Sequence, residues 1–131
     1  MKKIIVVGGG MAGSIVANGL ARKLNKELNN GLVDITVISA TDKHLYQPGL
    51  LYLAFGRVRE NELIRDQKTI LDKRIKFYVD PAINIDTQTK TVTTKSGKVF
   101  EGNYSVIATG SRLVPETVPG LAEGAHQFYS V

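Results

Sequence analysis

Near the start of the chain a β-branched run, Ile4-Ile5-Val6-Val7, ends on Gly8-Gly9-Gly10-Met11-Ala12-Gly13. An uninterrupted apolar run of this length reads as a strand buried on both faces. From Met11 the pattern turns helical. Ile15, Val16, Leu20 and Leu24 recur at helical spacing, and Asn29-Asn30-Gly31 closes the segment as a helix C-terminus would. Val33–Ile38 reads as a second strand. Strand, glycine turn, helix and strand form a βαβ unit, whose strands should be parallel. The glycine turn fits G-x-G-x-x-G. Gly8 permits the tight turn, Gly10 lets a pyrophosphate approach the backbone, and Gly13 lets the helix lie against the sheet. The phosphates would sit at the helix N-terminus, where free N–H groups and the dipole favour anions. Ala17, four residues on, keeps the same helix face small.

The rest of the chain sets bounds on that reading. Its 131 residues fall within the usual size of one globular domain, about 100–150 residues. There is no cysteine, which removes disulfides, thiolate metal sites and a cysteine nucleophile from these residues. His44 and His126 are too far apart in sequence to make a metal-ligand spacing. No apolar run reaches the roughly 18 residues of a membrane helix. The glycines at 8–10 interrupt what would be a signal-peptide core, so export is not expected. The net charge of +5 is concentrated around residues 57–76, where opposite signs are interspersed. That pattern fits a solvated helix face, not a nucleic-acid patch.

Further along, Pro48-Gly49 marks a turn and Leu50–Phe55 a short helix. Glu60–Arg74 carries Leu63, Ile64, Ile70 and Leu71 on a helical pattern, and Ile75–Val79 reads as a third strand. Residues 82–101 read as an antiparallel meander, turning at Asp86-Thr87-Gln88 and at Ser96-Gly97. Tyr104–Ala108 reads as a last buried strand, running into Thr109-Gly110. The expected fold is therefore α/β, a Rossmann-like parallel sheet with an inserted β-meander. At the end of the second strand, where a ribose-binding acid is usual, stands Ser39. Its hydroxyl can still hydrogen-bond a ribose, more weakly than a carboxylate.

The Gly8–Gly13 fingerprint, Val106-Ile107-Ala108-Thr109-Gly110 and the trailing Pro119-Gly120 together resemble the two-dinucleotide-domain flavoprotein reductases. The resemblance covers nearly the whole chain, as the first part of the FAD domain. Asp42-Lys43-His44-Leu45-Tyr46-Gln47-Pro48-Gly49-Leu50-Leu51-Tyr52 looks like the matching segment of sulfide:quinone oxidoreductases and of type II NADH:quinone dehydrogenases. There an aromatic-x-Pro element, here Tyr46-Gln47-Pro48, runs beside the flavin. Ser39 in place of the acid, and His126-Gln127-Phe128-Tyr129, tilt the likeness towards the sulfide enzymes. Asn103 departs from the pattern, which often has Asp there.

The resemblance implies a cytoplasmic FAD-dependent oxidoreductase, peripheral at the membrane when full-length, that oxidises sulfide and reduces quinone at the membrane surface. The alternatives are a type II NADH:quinone dehydrogenase and a non-catalytic dinucleotide-binding module. It implies cofactor contacts at Gly8, Gly10, Met11, Gly13, Ser39, Ala40, Pro48, Ala82, Ala108, Thr109 and Gly110, and no catalytic residue within the chain. His44 is either a cofactor contact or a loop histidine. Arg112 either meets a phosphate or is solvated. Residues 1–131 are expected to be an incomplete FAD-binding domain. The redox cysteines, the NAD(P)-like domain and the C-terminal domain would lie outside them. The chain alone is thus expected to hold little FAD, to be inactive, and to self-associate through an unfinished sheet edge.

Overall fold

The computed structural model describes residues 1–127 and Tyr129. The chain forms two compact units. The first comprises Met1–His44 and Asp66–Gly110; the second comprises residues 45–65 and the described residues from Ser111 onward.

In the first unit, β1 (Lys2–Val7), β2 (Val33–Ser39), β5 (Lys76–Val79) and β9 (Tyr104–Ile107) form a parallel sheet in the order β5-β2-β1-β9. The β1 run is apolar throughout because both of its faces are covered. Ile4 and Val6 pack with Ala17, Ala21, Ile35, Val37, Leu71 and Ile75. Ile5 and Val7 pack on the other side with Ile38 and Val92. The first layer comes largely from α1 (Met11–Lys23), whose small Ala17 and Ala21 are fully buried and bring its backbone close to the sheet. The second layer comes from the meander β6 (Ala82–Asp86), β7 (Thr91–Thr94) and β8 (Val99–Glu101), which is antiparallel as expected. Asn103 Oδ1 accepts from the Lys3 N–H at 2.8 Å, which pins the entry of β9 to β1. An aspartate there would accept the same bond.

Several expectations need correction. Ile15 is 61% exposed, so the buried stripe of α1 runs through Gly13, Ala17 and Ala21 instead of Ile15 and Val16. The helix stops at Lys23, and α2 (Asn25–Asn29) continues the segment after a break at Leu24. Glu60–Arg74 is not one helix. It divides into α4 (Glu60–Leu63), β4 (Ile64–Asp66) and α5 (Gln67–Ile70). Asp66 caps α5 by accepting from the Lys68 N–H at 3.1 Å, a role for which Asp is suited and which ends any helix running through it. Leu63 is buried in the second unit and Leu71 in the first, so tertiary demand overrides the local periodicity. Finally, β9 is the sheet's edge and is not a buried strand: Tyr104 and Ile107 are both exposed.

In the second unit, the Tyr46 N–H donates to Leu63 O at 2.8 Å beyond the short strand β3 (Lys43–Leu45). A 3-10 turn at Gln47–Gly49 leads into α3 (Leu50–Ala54). Leu50 and Leu63 are buried. Towards the C-terminus lie a 3-10 turn at Pro115–Thr117 and α6 (Leu121–Gly124). An apolar cavity of about 400 Å³ there is lined by Leu113, Val114, Pro115, Leu121, His126 and their neighbours. None of the glycine-turn residues lines it. Among the described residues, no helix is long and apolar enough to cross a membrane.

Candidate cofactor-binding site

The strand order places β2 on one side of β1 and β9 on the other. The chain leaves β1 through α1 towards β2, and returns to the opposite side only at β9. Ligands of open α/β sheets bind at such a reversal, outside the carboxyl ends of the strands. The glycine turn and the Ala108–Gly110 segment occupy that position at the ends of β1 and β9.

Not every glycine of the turn is there for the same reason. Gly8 adopts φ +111°, and a Cβ on it would lie 2.1 Å from Ala108 O. Only glycine takes this conformation at such close approach. A Cβ on Gly13 would lie 1.8 Å from Gly8 O, so its absence lets α1 close onto the turn. Gly10 differs. It has φ −69° and ψ −166°, an extended conformation open to any residue, and no heavy atom lies within 4 Å of where its Cβ would be. Among the described residues, nothing in the packing requires glycine at position 10.

The first α1 hydrogen bond runs from the Ser14 N–H to Gly10 O at 3.0 Å. The amides ahead of it have no partner within the helix. No side chain caps this end, and no acidic residue stands in the first turn. Amides without an intrahelical partner, a positive dipole end and open space beside Gly10 are the features that favour an anion at a helix start. The nearby acids belong to exposed ion pairs, Lys43 with Asp42 at 3.7 Å and with Asp66 at 4.0 Å, which water largely screens.

Ser39 ends β2 almost fully buried, its Oγ 2.7 Å from the position a Gly9 Cβ would take, and it accepts from the Thr41 N–H at 3.4 Å. Ala40 beside it is exposed. Met11 opens α1 and is 45% exposed. Ala108 is half-buried, while Thr109 and Gly110 are exposed. Ala82 starts the meander three residues after β5, at the same carboxyl end of the sheet, where the Asp80 N–H donates to Ser39 O at 2.8 Å. The first unit thus holds every expected contact except Pro48, which lies exposed in the second unit's 3-10 turn.

The sequence reading missed a buried polar chain behind the turn. Gln67 is fully buried. Its Nε2 donates to Ser14 Oγ at 2.7 Å, and Ser14 Oγ donates to Gly9 O at 3.0 Å. His44 Nδ1 lies 3.1 Å from Gln67 Oε1 and 3.4 Å from Gly9 O. A signal for it existed. Gln67 stands midway between Leu63-Ile64 and Ile70-Leu71, a polar residue on an apolar stripe. Such a residue is buried only with partners.

The parallel sheet, the glycine turn at its reversal and the uncapped helix define an open α/β domain of the dinucleotide-binding class. Residues 2–131 match the model of a family described as pyridine nucleotide-disulphide oxidoreductase, and the chain belongs to that family. It is 32% identical over 121 residues to a mitochondrial sulfide:quinone oxidoreductase of Dictyostelium discoideum, covering 92% of this chain and 26% of the relative. It is 32% identical over 95 residues to a type II NADH:quinone oxidoreductase of Mycobacterium tuberculosis, covering 71% of this chain and 18% of the relative. Its fold superimposes on the solved sulfide:quinone oxidoreductase of Aquifex aeolicus with a TM-score of 0.85 and 29% identity, over 99% of this chain and 29% of that one. The chain spans about a quarter of the length of the sulfide:quinone relatives it matches. The expected family and the Rossmann-like α/β fold therefore hold.

Proposed function

We propose that this chain binds the ADP part of FAD, within a protein that carries electrons from sulfide to quinone at a membrane surface. The observation that carries the reading is the open side of Gly10 at the uncapped start of α1, the one glycine of the turn that internal packing does not explain. The amides of Gly10 and Met11 would hold the pyrophosphate, with Gly8 and Gly13 shaping the turn. Ser39 and Ala40 would face the ribose, Ala82 would offer main-chain groups to the adenine, and Ala108, Thr109 and Gly110 would line the other wall of the crevice. Pro48 would run beside the flavin. FAD when bound supplies the two-electron chemistry; these residues bind and orient it.

Sulfide as the donor is supported by the sulfide:quinone relatives and by Ser39 in place of the ribose acid. NADH as the donor is the second reading, supported by the mycobacterial relative. Weak retention of FAD by these residues alone, as part of a larger FAD domain, belongs to the same proposal. The test is a titration of the 15N-labelled chain with ADP and then FAD, followed by amide NMR shifts. Saturable shifts at Gly10, Met11, Ala12, Thr109 and Gly110 are expected. Their absence at millimolar ADP, or shifts confined elsewhere, would sink the cofactor assignment. On the whole protein, quinone reduction driven by NADH and not by sulfide would decide for the second reading.

A further inference from the structure

We infer that Gln67 is a positioning residue for the pyrophosphate site: with Ser14 and His44 it holds the Gly9 carbonyl inward, and so turns the Gly10 N–H out towards the ligand. The inference rests on the cofactor reading for the identity of that ligand, and on hydrogen-bond geometry for everything else.

The direction of every bond in the chain is fixed by its members. Gly9 O can only accept. Ser14 Oγ has one proton, and it is given to Gly9 O at 3.0 Å. Ser14 Oγ must therefore accept from Gln67, which places the Gln67 NH₂ at Ser14, 2.7 Å away, and its carbonyl at His44, 3.1 Å away. His44 Nδ1 then faces two acceptors, Gln67 Oε1 and Gly9 O, so it carries the proton. The amide of Gln67 donates to Ser14 at one end and accepts from His44 at the other, so it links the two residues that hold the Gly9 carbonyl. Isosteric hydrocarbon there would leave both Ser14 and His44 short of a partner.

The consequence for the turn follows from peptide geometry. In a planar trans peptide the C=O of Gly9 and the N–H of Gly10 point in opposite directions. Two donors pull the Gly9 carbonyl into the protein, so the Gly10 N–H is presented on the side opposite that carbonyl, at a residue that is itself exposed. Gly9 has little freedom to rotate otherwise, because Ser39 Oγ and the Gln67 side chain border it. Without the tie, a flip of this peptide would present a carbonyl oxygen to a phosphate.

Two measurements on the 131-residue chain test this. First, 15N NMR of the His44 ring in the ligand-free chain, at a pH where the ring is neutral, should show the Nδ1–H tautomer; a bare Nδ1 with the proton on Nε2 would overturn the inference. This readout uses no ligand, so it stands even if the cofactor reading fails, and loss of ADP binding by the wild-type chain would count against that reading alone. Second, Ser14→Ala and Gln67→Leu should weaken ADP about tenfold, the scale of one hydrogen bond to a charged group, while adenosine affinity stays unchanged. A purely structural role would lower both affinities together, and that result would overturn the proposal. Ser14→Ala places a good helix former in α1 and carries the test should Gln67→Leu not fold.

Discussion

Replacing Gly10 by alanine separates the glycine that the fold needs from the glycine that a ligand needs. The added methyl meets no heavy atom within 4 Å, and the backbone at φ −69° accepts it without strain. Two opposing effects on stability remain. Alanine restricts the unfolded chain, which stabilises by about 0.4–1 kcal/mol. Alanine is a poorer N-cap than glycine, which costs about 0.5–1 kcal/mol. The net change in unfolding free energy should therefore lie within about 0.5 kcal/mol of zero. Gly13→Ala is the control. Its Cβ would lie 1.8 Å from Gly8 O, whereas a carbon and a carbonyl oxygen rest about 3.3–3.6 Å apart. Relieving the overlap requires α1 to withdraw by more than an ångström, opening the seam where Ala17 and Ala21 meet Ile4 and Val6. That should cost about 3 kcal/mol or more. Urea unfolding of the wild type and both variants gives the stabilities, and amide-shift titration with ADP gives the affinities. Gly10→Ala should unfold like the wild type and bind ADP at least about tenfold more weakly, one charge-assisted hydrogen bond's worth. A Gly10→Ala protein destabilised like Gly13→Ala would show that the space is filled by the protein itself. One that binds ADP as the wild type does would remove the ligand from the argument.

Other consequences can be checked on the same chain. The Arg74 guanidinium and then the Arg74 N–H hydrogen-bond Asp72 and hold its carboxyl at about 2, below its ordinary 3.8. The resulting stability is present above about pH 4 and lost as pH falls towards 2. Asp72→Asn should make that acid limb shallower in pH-dependent urea unfolding, Asp80 and Asp86 supplying the rest, and cost about 1 kcal/mol at neutral pH, the figure being reduced for water access to the pair. A wild-type stability flat between pH 4 and 2 would contradict the assignment. Val92→Ala, at a fully buried position between the sheet and the meander, should cost about 2 kcal/mol by urea unfolding. A loss under about 0.5 kcal/mol would mean that the meander does not seal this face. The outer edge of β9 has no strand partner among the described residues and exposes Ile107. Sedimentation should show concentration-dependent self-association that Ile107→Lys reduces, and a strictly monomeric wild type would refute it.

The elements legible in the sequence are those whose cause is local. The β1 run announced burial on both faces because in a parallel sheet nothing alternates. The meander announced its turns by chemistry: Asp86 Oδ1 accepts from the N–H groups of Gln88 and Thr89, and Gly97 takes φ +85°. What could not be read locally is position within the sheet. β9 ends on Val106-Ile107 much as β1 ends on Val6-Val7, but β1 is central and β9 lies at the edge, which the order of strands sets.

The misreading of Glu60–Arg74 and the invisibility of the buried polar chain have one cause. Leu63, Ile64, Ile70 and Leu71 satisfy a helical period, and a long helix would have satisfied every one of them. Gln67 stands on that same stripe, where a buried amide needs partners. The protein instead stops the first helix at Leu63, crosses β4, and restarts at Asp66, so that Gln67 begins a separate turn and reaches Ser14 of α1 and His44. Breaking the helix costs a second nucleation and forfeits continuous backbone hydrogen bonds. That the amide is buried and partnered at both ends directly behind the glycine turn is the physical reason for assigning it to the geometry of that turn and not to the core.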